Sequence, residues 1–194
     1  SNKAATDEGE PLVGVLFAAG EGRSDSSDGV LVGINREQQL VLSVYGDVKA
    51  SYQLAKEKPN ALILVVKQAG SYKVFLDGKA EPVLSYEERV NRGGVLSLYS
   101  YNAQGCFTNV MIDNLQPNGD YTKTATAEKW NKNPSLPFSD NFSSAASEDN
   151  YKFYNENLAD FSVKNGTLVC EDTTSWEAGA TVIKNSYSDF TMDF

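Results

Sequence analysis

The chain has 194 residues, 41% of them hydrophobic, enough to bury one large all-β core or two small ones. A net charge of −9 argues against nucleic acid and against anionic membrane surfaces as partners. Histidine is absent, which excludes Ser-His-Asp and Cys-His catalysis and histidine-ligated zinc, and leaves carboxylates, Tyr, Lys or a bound metal for any chemistry.

The N-terminal "SNKAATDEGEP" is polar and shows no signal peptide, so the chain reads as a piece of something longer. No apolar run reaches the roughly 18 residues that span a bilayer. From there period-two patterning dominates. In "PLVGVLFAA" Val13, Val15 and Phe17 share a face; in "GVLVGIN" Val30, Val32 and Ile34 do; in "QLVLSVYG" Leu40, Leu42 and Val44 do. "GEGRSDSSDG" is a long loop, and "SYQLAKEKPN" has room for one helical turn before Pro59. "ALILVVKQ" is apolar on both faces and suits a strand buried between layers. "SYKVFLDG" sets Tyr72, Val74 and Leu76 against Lys73, Phe75 and Asp77.

"GVLSLYSY" and "CFTNVMIDNL" continue the pattern, as do "FSVKNGTLVCED", "ATVIKNS" and "DFTMDF" after a gap. In the last, Phe190, Met192 and Phe194 alternate with Thr191 and Asp193. Asp77-Gly78-Lys79 and Lys164-Asn165-Gly166 read as hairpin turns, where glycine accepts a positive φ. The polar, proline-containing stretch Gln116 to Pro137 is a connector. About ten short strands separated by turn signals predict an all-β, two-sheet antiparallel β-sandwich. Cys106 and Cys170 fit either one long-range disulfide or two thiols; their apolar, strand-like surroundings favour buried thiols.

Certain residues carry a family resemblance. "YKVFLDGK", followed by "GGVLSLYSYNAQGCFTNVMIDNL", resembles the C-terminal half of concanavalin A-like jelly-roll modules. Laminin-G-like domains and the family 66 carbohydrate-binding modules of bacterial sugar-processing enzymes belong to that group. The closing "F-x-N-V" strand stands here as Phe107-Thr108-Asn109-Val110, and "PLVGVLFAAGEG…DGVLVGIN" resembles the central strands. "LPFSDNFSS" is similar to the opening of such a module, and "DFSVKNGTLVCEDTTSWEAGATVIKNSYSDFTMDF" to the strands after it, with Phe161 at a habitual aromatic position.

The halves are thus in permuted order. Residues 1–118 resemble the back of a module, 119–136 connect, and 137–194 resemble the front. Either tandem modules are cut across, or one chain closes a single sandwich, within itself or by strand exchange in a dimer. Closure within the chain is the favoured expectation, with strand 189–194 antiparallel to strand 11–18.

The resemblance implies a secreted or cell-surface, non-catalytic module that binds a polysaccharide or glycan beside neighbouring domains of a longer chain. The alternatives are a structural or adhesive spacer, and a sugar hydrolase on the same sandwich. The hydrolase needs two carboxylates about 5 Å apart on one strand face. Glu171-Asp172 and Glu87-Glu88 are adjacent and point to opposite faces, and Asp189 and Asp193 have the wrong spacing.

Sugar recognition uses an aromatic platform with fixed polar groups. Tyr99 and Tyr101 share a strand face, followed by Asn102 and Gln104, and Trp176 stands beside Glu177 in a polar loop. The alternative for these aromatics is that they cap the core. Where sugar-binding members often carry Phe-Arg this chain has Phe17-Ala18, and where they often carry Gly-Tyr it has Gly29-Val30. Arg23 is the candidate to replace the lost arginine. Structural calcium in the resembled folds makes Asp25, Asp28 and Asp172 candidate oxygen ligands, with solvated loops as the alternative.

Overall fold

Among the described residues, four X-Gly dipeptides turn the chain with both residues at positive φ: Tyr45-Gly46, Ala69-Gly70, Asp77-Gly78 and Asn165-Gly166. That geometry matches the twist of flanking antiparallel strands. Three of them are two-residue hairpin loops, closed by the pairs Val44–Asp47, Gln68–Ser71 and Lys164–Thr167. The fourth opens the longer connection after Leu76, where the Lys79 amide donates to the Leu76 carbonyl at 3.1 Å.

The computed structural model describes residues 11–19, 26–55, 60–113, 139–154, 159–172, 177–182 and 190–194. They contain sixteen strands, two 3-10 turns (Ser26–Asp28 and Ala145–Asn150) and no α-helix. None of their helical turns is long and apolar enough to cross a membrane. Every pairing among the described strands is antiparallel.

A seven-stranded sheet runs in the order β12 (Tyr151–Tyr154), β15 (Glu177–Val182), β8 (Val95–Tyr101), β1 (Val13–Ala19), β2 (Val30–Ile34), β3 (Gln39–Val44) and β4 (Asp47–Gln53). A six-stranded sheet runs β11 (Ser139–Asp140), β10 (Val110–Asp113), β16 (Phe190–Asp193), β5 (Ile63–Gln68), β6 (Ser71–Leu76) and β7 (Leu84–Glu87). Three further strands, β13 (Ala159–Lys164), β14 (Thr167–Asp172) and β9 (Gln104–Phe107), form a small third sheet.

The alternating residues of the sequence meet in one core. Val15, Phe17, Val32, Leu42 and Leu98 from the seven-stranded sheet join Val65, Tyr72, Val74, Ile112 and Met192 from the six-stranded one, all fully buried. The rings of Phe17 and Tyr72 meet across the two layers at 5.6 Å. Phe107 and Leu168 bring the third sheet into the same cluster. Each such side chain contributes about 1.5–3 kcal/mol relative to exposure, so this layer supplies the main drive to fold. The fold is an all-β sandwich, as expected from the pattern.

Other expectations are corrected. The strand at 189–194 does not lie beside 11–18. β1 already has β8 and β2 on its two edges, so it has no free ladder to offer. β16 instead fills the place between β10 and β5, and Phe194 exchanges two backbone hydrogen bonds with Ile63, at 2.9 and 3.0 Å. A strand as apolar as β5 needs partners on both edges and cover on both faces, and the chain end supplies one edge. β12 and β15 extend the seven-stranded sheet beyond β8. Residues from the second segment therefore complete both sheets of the first, within one chain. The connector at 119–136 lies outside the described residues.

"CFTNVMIDNL" is not one strand. Asn109 has φ 50°, and the break sends β9 to the third sheet and β10 to the six-stranded one. Ser51–Gln53 belongs to β4, and the residues just before Pro59, where one helical turn is expected, lie outside the described residues. The cysteines do not form a disulfide, and only one is buried: Cys170 is, Cys106 is exposed. Cys170 pairs with Gly105 and Cys106 with Val169, so the two thiols project from opposite faces of the small sheet.

Between β1 and β2, Gly14 pairs with Gly33. A Cβ on Gly14 would stand 2.1 Å from the Val32 carbonyl oxygen, and one on Gly33 2.3 Å from that of Val13. Backbone packs against backbone at the centre of the sheet, and only glycine permits it at either place.

Candidate functional site

β8 points Leu96 and Leu98 into the main core, and Tyr99 and Tyr101 to the other face, as the alternation requires. That other face is itself packed. Tyr99, 1% exposed, forms a second buried cluster with Leu16 and Leu31, and Tyr101 lies half-buried against it. Tyr99 is thus a packing residue, with no ring face open to solvent.

Beyond Tyr101 the chain turns through exposed Asn102, whose φ is 45°. The Ser100 hydroxyl donates to the Ala103 carbonyl at 3.0 Å and closes the turn. Gln104 follows, exposed, and its amide donates to the Glu171 carboxylate of β14 at 3.1 Å. The β15–β8 register sets the Glu177 backbone opposite Tyr101. Tyr101, Asn102, Gln104, Glu171 and the start of β15 therefore share one end of the sandwich. Trp176 precedes that strand, and it lies outside the described residues, as do Arg23 and Asp25.

Asp28 is elsewhere. It ends the 3-10 turn that leads into β2, whose Val30 pairs with Phe17, itself opposite Leu96. Asp172 closes β14, next to Glu171 at the Tyr101 end. The length of β8, about 20 Å at the usual strand rise, separates the backbone of the turn at Asp28 from that of the end of β14. Among the described residues no three metal-ligating side chains form a group.

A second constellation has no counterpart in the sequence reading. Lys67 shares strand parity with Ile63 and Val65, and therefore points into the sandwich, 1% exposed. Its Nζ lies 2.6 Å from Asn91 Oδ1 and 5.7 Å from the centre of the Tyr72 ring. The Tyr72 hydroxyl donates to Glu88 Oε2 at 3.1 Å, and Arg92 Nε donates to Glu88 Oε1 at 3.0 Å. The Arg92 guanidinium also lies over the Tyr45 ring, at 5.3 Å.

Burial, reinforced by the Glu88 charge and its hydrogen bond, holds the Tyr72 phenol far above its ordinary range. Burial and Glu88 likewise push Tyr45 up, with Arg92 acting the other way. Tyr72 is therefore a protonated donor across the physiological range. The legible signal was a lysine at a core position of an apolar strand, a place such residues rarely occupy without a partner.

The start of the second segment is organised by one carboxylate. Asp140, 7% exposed, accepts from the Phe142 amide and the Ser147 hydroxyl at 2.8 Å each, and from the Asn150 amide at 3.1 Å. The stacked rings of Phe142 and Tyr151 lie beside it, 5.9 Å apart. Burial first, then the Asp140 charge, raises the Tyr151 phenol well above its ordinary value. This corner docks residues 139–151 onto the core.

Compared with known proteins, the chain matches no family model, no curated protein and no solved structure.

Proposed function

We propose that the chain is a non-catalytic, carbohydrate-binding-like module of a secreted or surface-attached bacterial protein, a concanavalin A-like jelly roll closed in permuted order. Support for the permuted form comes from the second segment, whose strands take places in both sheets built by the first. Support for glycan binding comes from one observation above others. Half-buried Tyr101 stands beside exposed Asn102 and the Gln104–Glu171 pair, an aromatic surface edged by amide and carboxylate groups of the kind that reads a sugar's apolar face and hydroxyl rim. Such a module works by raising the local concentration of an attached enzyme at its polysaccharide.

A glycan array followed by calorimetry tests this. Binding to a polysaccharide that is lost in Tyr101→Ala supports the reading. The burial of Tyr99 favours a second reading, a structural or adhesive spacer, because it removes one of the two rings from the aromatic surface. The spacer predicts no glycan heat at any concentration and no effect of Tyr101→Ala beyond stability. A hydrolase on the same scaffold predicts turnover on a polysaccharide panel, and none is expected.

A further inference from the structure

The geometry points to an intramolecular amide bond between the side chains of Lys67 and Asn91. The two residues are 24 apart in sequence, and Lys67 Nζ lies 2.6 Å from Asn91 Oδ1. A carbonyl bond adds only about 1.2 Å, so the amine is at most about 4 Å from the amide carbon. A shift of a fraction of an ångström reaches the roughly 3–3.5 Å of a near-attack arrangement.

The surroundings fit the chemistry. Lys67 is 1% exposed and has the Tyr72 ring beside it, which Phe17 covers in turn. Excluding water penalises an ammonium and spares the neutral amine, which is the nucleophilic form. The segment that carries Asn91 is pinned on its N-terminal side. The Glu88 amide donates to the Gly70 carbonyl at 2.8 Å, and the Glu88 carboxylate holds both Tyr72 and Arg92. Asn91 as a residue is exposed, which gives a leaving group a way out to solvent.

The step balances without a co-reactant. The neutral Lys67 nitrogen adds to the Asn91 amide carbon, and a C–N bond forms. The tetrahedral centre collapses by breaking the bond to the original amide nitrogen. That nitrogen departs as ammonia, carrying the proton given up by Lys67. No atom changes oxidation state. The product ties β5 covalently to the segment after β7, a link that suits a domain held under tension. Glu88 is a positioning residue for this step, since it holds the Asn91 segment through Tyr72 and Arg92.

Intact-mass spectrometry of the purified chain, with tandem analysis of a protease digest, tests the bond. The expected mass is that of the sequence less one ammonia, with a branched peptide joining Lys67 to Asn91 and no tryptic cleavage after Lys67. Lys67→Arg and Asn91→Ala each restore the full mass. Asn91→Asp forms the same amide with loss of water instead. Glu88→Ala gives a slow time course with both masses present, which a stability effect alone would not produce. The folded wild type holding its full sequence mass after days at neutral pH overturns the inference. So does an ammonia loss that persists in Lys67→Arg, because it then arises from ring closure at an Asn-Gly pair such as Asn165-Gly166.

Discussion

Met192 lies directly opposite Val65 on one side and Ile112 on the other, so the last strand of the chain closes the middle of the six-stranded sheet. Its side chain is fully buried. Met192→Ala should destabilise the fold by about 2–5 kcal/mol, the usual cost of a large-to-small core change. Urea titration followed by tryptophan fluorescence or circular dichroism would measure it. A loss confined to tenths of a kcal/mol would mean that β16 is peripheral.

The Gly14–Gly33 pair makes a sharper demand. A methyl group at Gly14 meets backbone at 2.1 Å, whereas at Gly105 it meets the end of the Val13 side chain at 3.0 Å. Gly14→Ala should therefore cost about 1–3 kcal/mol or more, and Gly105→Ala distinctly less. Equal losses for the two variants would contradict the close approach of β1 and β2.

Gly70 and Gly166 separate two effects of the hairpin turns. Both sit at positive φ, 86° and 77°. A Cβ at Gly70 would also stand 2.6 Å from the Glu88 carbonyl oxygen, while at Gly166 it would meet only an ordinary contact at 3.7 Å. Gly166→Ala should cost about 1 kcal/mol from conformation alone. Gly70→Ala should cost clearly more, and matching thermal shifts for the two would refute the contact.

The buried phenols set an alkaline limit. Tyr72 and Tyr151 have folded-state pKa values raised above the ordinary value of 10.0, by burial and then by Glu88 and Asp140 respectively. Above that value the unfolded chain releases protons that the folded chain keeps. The contribution is fully present below pH 10.0 and is lost as pH rises beyond it. Unfolding free energy measured from pH 8 to 11 should fall above about 10, and Tyr72→Phe should flatten the decline. A flat wild-type profile would rule out buried protonated phenols.

Strand parity made the core legible. Val13, Val15 and Phe17, Leu40, Leu42 and Val44, and Tyr72, Val74 and Leu76 all face the way their alternation predicts, because the side-chain period of a strand is fixed by backbone geometry. Turns were legible only where Asn or Asp precedes glycine. Tyr45-Gly46 and Ala69-Gly70 adopt the same conformation without that marker, and so β4 and its hairpin do not stand out in the sequence. The neighbours of β16 were not legible either, since pairing between segments as distant as Met192 from Ile112 and Val65 depends on which edges remain open after local hairpins form. Tyr99 has the parity of a surface residue, and its burial follows from a second packed layer with Leu16 and Leu31 that alternation alone does not reveal. Asn102, Gln104 and Glu171 come together through the β9–β14 register, which spans distant parts of the chain.

The account rests on the second segment completing the sandwich of the first inside one chain. Backbone nuclear Overhauser contacts in a sample mixing isotope-labelled and unlabelled chains test this most directly. The prediction is contacts from Met192 to Val65 and Ile112 that arise within single molecules. Contacts from residues 190–194 to 13–19, or contacts seen only between labelled and unlabelled chains, would contradict it.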